Sequence, residues 1–302
     1  MRRINIQQTI DIQTYLPNFN LDLFIEKLGP YFKESLVIFD VETSGLSPMI
    51  NEIIEFGAIK INFKTKEVTK FESLLKNSKP LNEKNMSIHG ITNEDLINAP
   101  EQLEIVNKFF EYIKDASLVA YNAQFDLGFL ITEIWKYKLS PSLEKVIDAL
   151  YMARASYKLV EDRPENYRLD SLKALYKLDL NSHRALDDSV VCLKVFYECM
   201  EILKWEPKAI SRFVIYNFKD PGGTQNFLND DSEKMKALKK AIAEGKNVNI
   251  NYKGGSKGSA PRPVQPIALL PMPNCVNLYA RCLKDEQFKL FNTKRIKKVQ
   301  NV

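Results

Sequence analysis

Hydrophobic positions in the first two thirds of the chain follow two different periods. Continuous apolar runs bounded by turn residues are typical of buried strands, and apolar residues three and four apart are typical of amphipathic helices. The first run breaks into a turn at Ser44 and Gly45. The pattern predicts strands at 36–43, 53–63, 71–76 and 117–122, and helices at 21–32, 91–98, 102–115, 123–139, 169–178 and 187–204. Strands that alternate with helices predict an α/β fold with a mixed sheet.

The pattern changes after Trp205. The next segment has no clean periodicity and contains Pro-Gly-Gly, so we interpret it as a linker with one short ordered piece. A helix closed by Gly245 follows, and then several short strand-like runs, which predict a small β-barrel. The expected organisation is a helical lead at 1–34, an α/β domain at 35–205, a linker at 206–232 and a small β domain at 233–302.

Composition indicates where the protein is located and whether its cysteines are reduced. A hydrophobic content of 45% over 302 residues supports a large core. No stretch approaches the roughly 18 apolar residues that span a bilayer, so we expect a cytoplasmic protein with no membrane partner. The four cysteines lack the close CxxC spacing of a zinc site. Cys192 and Cys199 would lie roughly 10 Å apart along a helix, too far for a disulfide, so we expect reduced thiols.

The charge is divided unevenly along the chain. The net charge is +5, but residues 233–302 carry 15 Lys and Arg against 4 Asp and Glu, whereas residues 1–232 carry 28 against 34. Phosphates are contacted by Lys and Arg, and metal ions need carboxylates. The division therefore indicates an element that binds a polyanion beside one that binds metal, although a basic face that only keeps the protein soluble stays an alternative.

Three separated segments carry acidic residues in apolar surroundings. Asp40 and Glu42 lie two apart on the first predicted strand, so both side chains leave the same face of the sheet. Two such carboxylates repel each other unless a cation, a proton or an arginine lies between them. Asp126 and Asp188 each begin a predicted helix, and His183 precedes Asp188 by five residues.

Four carboxylates and one imidazole are what two-metal hydrolysis of a phosphodiester requires. Two divalent ions stabilise the attacking and leaving oxygens of an in-line displacement. His183 can take the proton of the attacking water, because the ordinary pKa of histidine lies near 6.5. Oxygen ligands without cysteine favour Mg²⁺ or Mn²⁺ over Zn²⁺.

The motifs FDVETSGL, YNAQFD and HRALDDS, with SIHGIT between the first two, resemble the DEDDh 3′-to-5′ exonucleases, which include the proofreading subunit of bacterial DNA polymerase III. The resemblance covers roughly residues 36–203. It implies a ribonuclease H-like fold with helices on both sides of the sheet, two bound metal ions, and release of nucleoside monophosphates from 3′ ends of single-stranded DNA or RNA. It implies metal ligation by Asp40, Glu42, Asp126 and Asp188, with His183 as the general base.

The same resemblance implies roles for neighbouring residues. Thr43, Gly45 and Leu46 would line the terminal nucleotide, and Asn122 and Phe125 would lie along the path of the strand. His89 is either a satisfied core histidine or a contact to the terminal base. Asp148 and Asp170 are interpreted as helix caps or surface acids, although nearby aspartates can assist such a site.

The C-terminal segment resembles the WYL domain, an SH3-like β module. The matching features are KALKKAIAEGKNVNINYK, RPVQPIAL, LYARC and FNTKRIKKV, but the name-giving Trp-Tyr-Leu is replaced by Val276-Asn277-Leu278. Residues at basic or polar positions of the pattern are predicted to contact phosphates. They are Tyr252, Arg262, Arg281 and Arg295.

Two functions fit these motifs. The first is an active exonuclease for single strands, with DNA favoured over RNA, whose basic module holds the polynucleotide. The second is a regulator that responds to nucleic acid, in which the WYL-like module senses a ligand and gates the nuclease. The intact set of five catalytic residues favours the first. The physiological pathway and protein partners are not predicted by any motif.

Overall fold

A computed structural model describes residues 6–32, 34–218, 225–254, 260–272 and 274–301. The first five residues of the predicted lead and the Pro-Gly-Gly of the predicted linker lie outside these ranges. The chain divides into two compact units. The first comprises residues 1–44, 53–126 and 141–220, and the second comprises residues 45–52, 127–140 and 221–302.

From residue 7 to residue 217, strands and helices alternate irregularly along the chain. Short 3₁₀ helices lie at Ile12–Thr14, Tyr157–Leu159 and Pro207–Phe213. The helices and strands are β1 Gln7–Thr9, α1 Leu21–Phe32, β2 Ser35–Thr43, β3 Ile53–Asn62, β4 Val68–Leu74, α2 Glu83–His89, α3 Asn93–Ile97, α4 Gln102–Tyr112, β5 Ser117–Ala120, α5 Gln124–Tyr137, β6 Lys145–Asp148, α6 Ala149–Ser156, α7 Leu169–Leu175, α8 Ala185–Ile202 and β7 Val214–Asn217.

The seven strands form one mixed sheet in the order β1-β4-β3-β2-β5-β6-β7. The β2/β5 and β5/β6 pairs are parallel, and the other pairs are antiparallel. The predicted α/β class and mixed sheet are therefore confirmed. Of the described helices, none combines the length and apolar content that a bilayer span requires.

Strand β2 lies in the middle of the sheet, and both of its faces are covered. On one face Phe39 meets Phe109 of α4, whose ring also stacks on Phe56 at 4.1 Å between centroids. On the other face Leu36 and Ile38 join the core that α1, α6 and α8 complete. Asp40 and Glu42 continue this second face because side chains two apart on a strand point the same way.

Helix α8 comes unusually close to strand β3 at Gly57. A Cβ at Gly57 would lie 2.0 Å from the backbone nitrogen of Leu186 and 2.1 Å from the carbonyl carbon of Ala185. Ser189 also donates its hydroxyl hydrogen to the Gly57 carbonyl at 2.9 Å. Gly57 is the register partner of Asp40, so the first turn of α8 lies beside that residue.

The sequence pattern did not predict four elements of the first unit. β1, α2, β6 and α6 were missed because three- and four-residue strands and helices of seven or eight residues are too short for a clear period. The ordered piece predicted between 206 and 232 is a 3₁₀ helix followed by β7, which pairs antiparallel with β6. Ile210 and Phe213 of that helix are buried in the core of the first unit.

The second unit contains a five-stranded antiparallel sheet and one further helix. The strand order is β11-β10-β9-β8-β12. The predicted barrel is not found, because no pairing among the described residues joins the two edge strands. A short 3₁₀ helix lies at Thr293–Arg295. The elements are α9 Glu233–Glu244, β8 Val248–Tyr252, β9 Pro261–Met272, β10 Cys275–Cys282, β11 Gln287–Asn292 and β12 Ile296–Asn301.

Two earlier chain segments also belong to the second unit. In the 45–52 segment, the Ser47 hydroxyl accepts a hydrogen bond of 3.1 Å from the backbone N–H of Leu269 in β9. In the 127–140 segment, the Trp135 ring lies 5.8 Å from that of Phe227. All four cysteines are free thiols, as predicted.

We expect Gly57→Ala to destabilise the first unit by about 1–3 kcal/mol, because the added methyl group meets backbone atoms that cannot rotate away. The control is Gly29→Ala in α1, where the new methyl would lie 3.6 Å from Phe63, an ordinary contact. That change should be neutral or stabilising by up to about 1 kcal/mol. Urea unfolding followed by Trp205 fluorescence in a Trp135→Phe background measures both. Equal stability of the two variants would contradict the close approach.

Candidate active site

The first part of the site is the C-terminal end of β2. Asp40 and Glu42 point to the α8 face and pair in register with Gly57 and Glu55 of β3. The strand is buried from Ser35 to Phe39, so these carboxylates follow directly on an apolar run. Because the antiparallel neighbour has no side chain at Gly57, the space beside Asp40 is open to α8.

The second part is the beginning of α5. Asn122 adopts a left-handed conformation with φ of 61°, which asparagine tolerates better than most residues, and this turns the chain from β5 into the helix. Asp126 lies in the first turn and is only 2% exposed. Its Oδ1 accepts a hydrogen bond of 3.2 Å from the backbone N–H of Val41, which lies between the two acids of β2.

The third part is the beginning of α8. His183 also has a left-handed conformation, with φ of 57°, and its backbone N–H donates to Oδ2 of Asp188 at 3.2 Å. One ligand atom from each of Glu42, His183 and Asp188 lies within 4.8 Å of the others. The neighbouring Asp187 points elsewhere and accepts hydrogen bonds from the backbone and side chain of Asn181. Asp188, and not Asp187, is therefore the acid at this helix start that lies beside Glu42 and His183.

The four carboxylates of the acidic cluster, Asp40, Glu42, Asp126 and Asp188, all have raised pKa values. Burial is the largest cause for each, and repulsion from nearby carboxylates, which for Asp188 are those of Asp170 and Asp187, adds to it. The pKa of Asp40 lies well above its usual range, those of Glu42 and Asp126 are raised to about 8, and that of Asp188 to about 7. Backbone hydrogen bonds to Asp126 and Asp188 oppose the rise in their pKa values.

Such a set of groups fits a divalent cation. Oxygen atoms that repel each other and one imidazole supply hard ligands, and a cation would replace the protons that burial otherwise retains. The donors come from three segments far apart in sequence, all within the first unit.

Two further aspartates lie close to this cluster. Asp148 is the N-cap of α6, where its Oδ1 accepts from the backbone N–H of Tyr151 at 2.9 Å, in line with its interpretation as a cap. Asp170, in the first turn of α7, has its Oδ2 3.9 Å from Nε2 of His183. Asp170 is thus a carboxylate neighbour of the predicted base.

His89 is buried, with 5% of its surface exposed. Its Nδ1 accepts from the backbone N–H of Ile91 at 3.1 Å, which assigns the proton of the neutral ring to Nε2. Among the described residues Nε2 has no partner. Burial lowers the pKa of His89, and the nearby His183 and Arg184 lower it further. Within the part of the chain that the structure describes, one of the two ring nitrogens of His89 is therefore unsatisfied.

The remaining residues predicted to line the substrate are divided between the two units. Thr43, Asn122 and Phe125 belong to the first unit with the acidic cluster. Gly45 and Leu46 fall in the segment of the second unit that contains Ser47. Leu46 is 59% exposed, which is high for a leucine and leaves its side chain free to contact a ligand.

Three of the four residues predicted to contact phosphates converge in the C-terminal sheet. The Arg262 guanidinium carbon lies 5.7 Å from the centre of the Phe291 ring, and that of Arg295 lies 5.0 Å from the Tyr252 ring. The Tyr252 and Phe291 rings are 5.2 Å apart. Arg281 instead pairs with the Glu286 carboxylate. Phe291 was missed by sequence reasoning, because one aromatic residue in a short strand carries no distinct signal.

Sequence reasoning also missed a charged pair next to the acidic cluster. Glu55 on β3 is 1% exposed and forms an ion pair with Arg184, with 2.6 Å between Oε1 and Nη2. The signal was present in the sequence, since a glutamate in the otherwise apolar run IIEFGAI requires a partner.

Comparisons with known families divide the chain in the same way as its motifs. The family described as Exonuclease matches residues 37–196, more than half of the chain, and the family described as WYL domain matches residues 233–301. Both resemblances noted in the sequence are thereby confirmed.

Curated relatives match the nuclease part. The DNA polymerase III PolC-type of Halalkalibacterium halodurans is 37% identical over 161 residues, which cover 53% of this chain and 11% of that protein. The corresponding protein of Thermotoga maritima is 37% identical over 173 residues, covering 56% and 12%. The chain thus spans little more than a tenth of the length of these relatives.

Solved structures share the fold at low identity. The zinc-bound complex of E. coli exonuclease I with single-stranded DNA has a TM-score of 0.52 at 16% identity and covers 82% of this chain and 54% of that one. Another exonuclease I structure has a TM-score of 0.51 at 16% identity and covers 89% and 64%. These likenesses support the ribonuclease H-like exonuclease fold.

Divalent cations should stabilise the protein more at pH 8 than at pH 6. Without a cation, the folded carboxyls of Glu42, Asp126 and Asp188 retain protons that unfolded carboxyls, with pKa values near 4, have released. The free energy of unfolding then falls as pH rises from about 4 to about 8, and a cation that binds the ionised groups reverses the loss. The thermal shift caused by Mn²⁺ relative to EDTA should therefore grow across this range.

Scanning calorimetry in non-chelating buffers measures this shift. Asp40→Asn should reduce its growth with pH, because one repelling charge is removed, and Asp187→Asn should leave it intact. A shift that does not change with pH would contradict binding to the ionised cluster.

Proposed function

The chain belongs to the exonuclease family and carries a WYL domain, and on this premise we propose that it removes nucleoside monophosphates from the 3′ end of single-stranded nucleic acid with two Mg²⁺ or Mn²⁺ ions. Enzymes of this family use divalent metal ions. The observation that carries the proposal is the convergence of Glu42, His183 and Asp188, from β2 and the start of α8, within 4.8 Å.

Asp40, Glu42, Asp126 and Asp188 would hold the ions. When bound, the ions would activate the attacking water and stabilise the charge that develops on the phosphate. Burial of the ligands excludes bulk water from this end of β2 and strengthens their interaction with a cation. Val41 and the His183 backbone hold Asp126 and Asp188 in place through their N–H groups.

His183 would accept the proton of the attacking water. Its side chain is about half exposed, so the ring can pass that proton on to solvent. Asp170 lies 3.9 Å from Nε2 and would stabilise the imidazolium that forms. The contact of His183 with the acidic cluster and its exposure to solvent both support this proposed role.

His89 and Leu46 would bind the terminal nucleotide. The buried Nε2–H of His89 has no partner among the described residues and lies near His183 and Arg184, so it can donate to a base or sugar oxygen. Leu46 offers an exposed apolar surface for stacking. Thr43, Gly45, Asn122 and Phe125 complete the proposed lining.

We favour DNA over RNA because the relatives that match the nuclease part are named DNA polymerases. Their matches cover 53% and 56% of this chain, so the relation to a polymerase does not extend over the whole chain. A cytoplasmic location is consistent with the reduced cysteines.

A matched pair of adjacent acids tests the catalytic assignment. We expect Asp188→Asn to abolish turnover and Asp187→Asn to retain it, since only Asp188 belongs to the acidic cluster. His183→Ala should reduce kcat by about 100- to 10,000-fold while Mn²⁺ still binds. The assay uses 3′- and 5′-end-labelled single-stranded DNA and RNA of one sequence, with Mg²⁺, Mn²⁺ or EDTA. No cleavage of any substrate by the wild-type chain would overturn the proposed activity.

The C-terminal domain is proposed to hold the polynucleotide. Its excess of Lys and Arg attracts phosphates, and the basic-aromatic cluster of Tyr252, Arg262, Phe291 and Arg295 combines charge with rings on which bases can stack. Arg295 donates to the backbone carbonyls of Lys253 and Gly254, which fixes its guanidinium at the end of β8. Arg281, paired with Glu286, remains a predicted phosphate contact.

One observation favours the second candidate function, a gated nuclease. The 45–52 segment, which carries Gly45 and Leu46, lies in the same unit as β9. Ser47 is 1% exposed and accepts its hydrogen bond from Leu269, seven residues along the strand from Arg262. A ligand that shifts β9 would therefore act on a segment proposed to bind substrate.

Arg262→Gln separates the two roles of the domain. If the domain holds nucleic acid, affinity for a long single strand should fall and the salt dependence should weaken by about one counterion per phosphate contact. Hydrolysis of a trinucleotide should not change. Lys240→Gln in α9, which removes the same charge from an exposed position, should have a smaller effect. A changed kcat on the trinucleotide would favour gating, and no change on either substrate would remove Arg262 from both roles.

A further inference from the structure

The start of α8 is fixed by a residue from another element. Arg184 is the residue before the helix, and it makes no side-chain hydrogen bond to the first turn. Glu55 of β3 takes that role, because its Oε2 accepts from the backbone N–H of Ala185 at 3.0 Å. An 18-residue helix has unpaired N–H groups and a positive dipole end at this point, and a carboxylate satisfies both.

The same carboxylate holds the residue that precedes the helix. Nε of Arg184 lies 3.1 Å from Oε1 and 3.3 Å from Oε2 of Glu55, and Nη2 lies 2.6 Å from Oε1. Bidentate pairs of this kind fix direction as well as distance. Glu55 therefore binds one side chain and one backbone group of two consecutive residues, Arg184 and Ala185.

These two residues lie between His183 and Asp188. His183 directly precedes Arg184, and Asp188 lies in the helical turn that Ala185 begins. The left-handed conformation of His183 costs free energy in a residue other than glycine, so it persists only where the surrounding contacts hold it. The contacts that Glu55 makes are next to this residue.

We propose that Glu55 is a positioning residue for the nuclease site, which sets the placement of both His183 and Asp188 through Arg184 and the first turn of α8. It does not touch substrate and is not proposed as a metal ligand. The expected effect of Glu55 on kcat rests on the proposed function, whereas its expected effect on Mn²⁺ binding does not.

The charge of Glu55 also acts on the cluster directly. Glu55 contributes to the raised pKa of Glu42, its register partner, and Arg184 opposes that rise. The pair therefore adds little net charge beside Glu42 while it keeps the buried carboxylate compensated. Removing Glu55 leaves Arg184 without its main partner, but the Arg184 side chain is 43% exposed and can turn to water. Removing Arg184 would instead leave a buried charge, so Glu55 is the better residue to change.

Glu55→Ala and Glu55→Gln test the proposal in the full chain. The first measurement is Mn²⁺ binding by electron paramagnetic resonance without substrate, and the second is kcat and KM on a labelled single strand. We expect Glu55→Ala to weaken Mn²⁺ binding by about 10- to 100-fold, as is typical when a group that orients a metal ligand is lost. We expect kcat to fall by at least as much and KM to change less than about twofold. Glu55→Gln, which keeps the acceptor oxygen, should lose less.

The control is Glu72→Gln. Glu72 is a second carboxylate near Arg184, at 3.9 Å, and no hydrogen bond among the described residues joins it to the helix start. It should leave Mn²⁺ affinity and kcat unchanged. Equal losses in Glu72→Gln, an unchanged Mn²⁺ affinity in both Glu55 variants, or a loss expressed in KM alone would overturn the proposal. If Glu55→Ala does not fold, the same two measurements on Glu55→Gln and Arg184→Lys test the proposal. A wild-type chain that binds Mn²⁺ but cleaves nothing would defeat the proposed function and leave the Mn²⁺ comparison to judge Glu55.

Discussion

The close approach of helix α8 to strand β3 is the contact on which the proposed active site depends. It requires that position 57 have no side chain, since any Cβ there would overlap the backbone of Ala185 and Leu186. Three polar contacts then hold the two elements together: the Ser189 hydroxyl to the Gly57 carbonyl, the Ala185 N–H to Glu55, and Arg184 to Glu55. Because β2 lies next to β3, this approach brings Asp188 and His183 to Glu42.

The same approach creates an electrostatic cost that the fold by itself does not remove. Burial and repulsion from nearby carboxylates raise the pKa values of all four clustered carboxylates, and the backbone hydrogen bonds to Asp126 and Asp188 offset only part of that rise. Groups arranged in this way bind a cation more strongly than the same groups would if they were spread over a surface. Carboxyl groups with such raised pKa values are common at functional sites.

The second unit is distinguished by positive charge and not by buried acids. Its sequence carries the excess of Lys and Arg, and three of the residues predicted to contact phosphates surround two aromatic rings. Its sheet also includes the partner of Ser47, so the segment with Gly45 and Leu46 is built into this unit and not into the one that holds the acids.

The sequence by itself determined the elements with a strong period and the identity of the acids. Long apolar runs such as 36–43 and long amphipathic stretches such as 187–204 are specified locally, because burial of one face or two faces leaves a readable pattern. The three motifs identified the family because the residues of each motif are contiguous in the sequence. Only the tertiary structure decided which polar groups are satisfied and which are not. Three features depend on contacts between residues far apart along the chain. They are the pairing of Glu55 with Arg184, the His89 Nε2 that lacks a partner among the described residues, and the β7 strand in a predicted linker. The spacing of residues in one sequence does not encode such contacts, and of the small β-barrel predicted for the C-terminal part only the antiparallel sheet is found among the described strands.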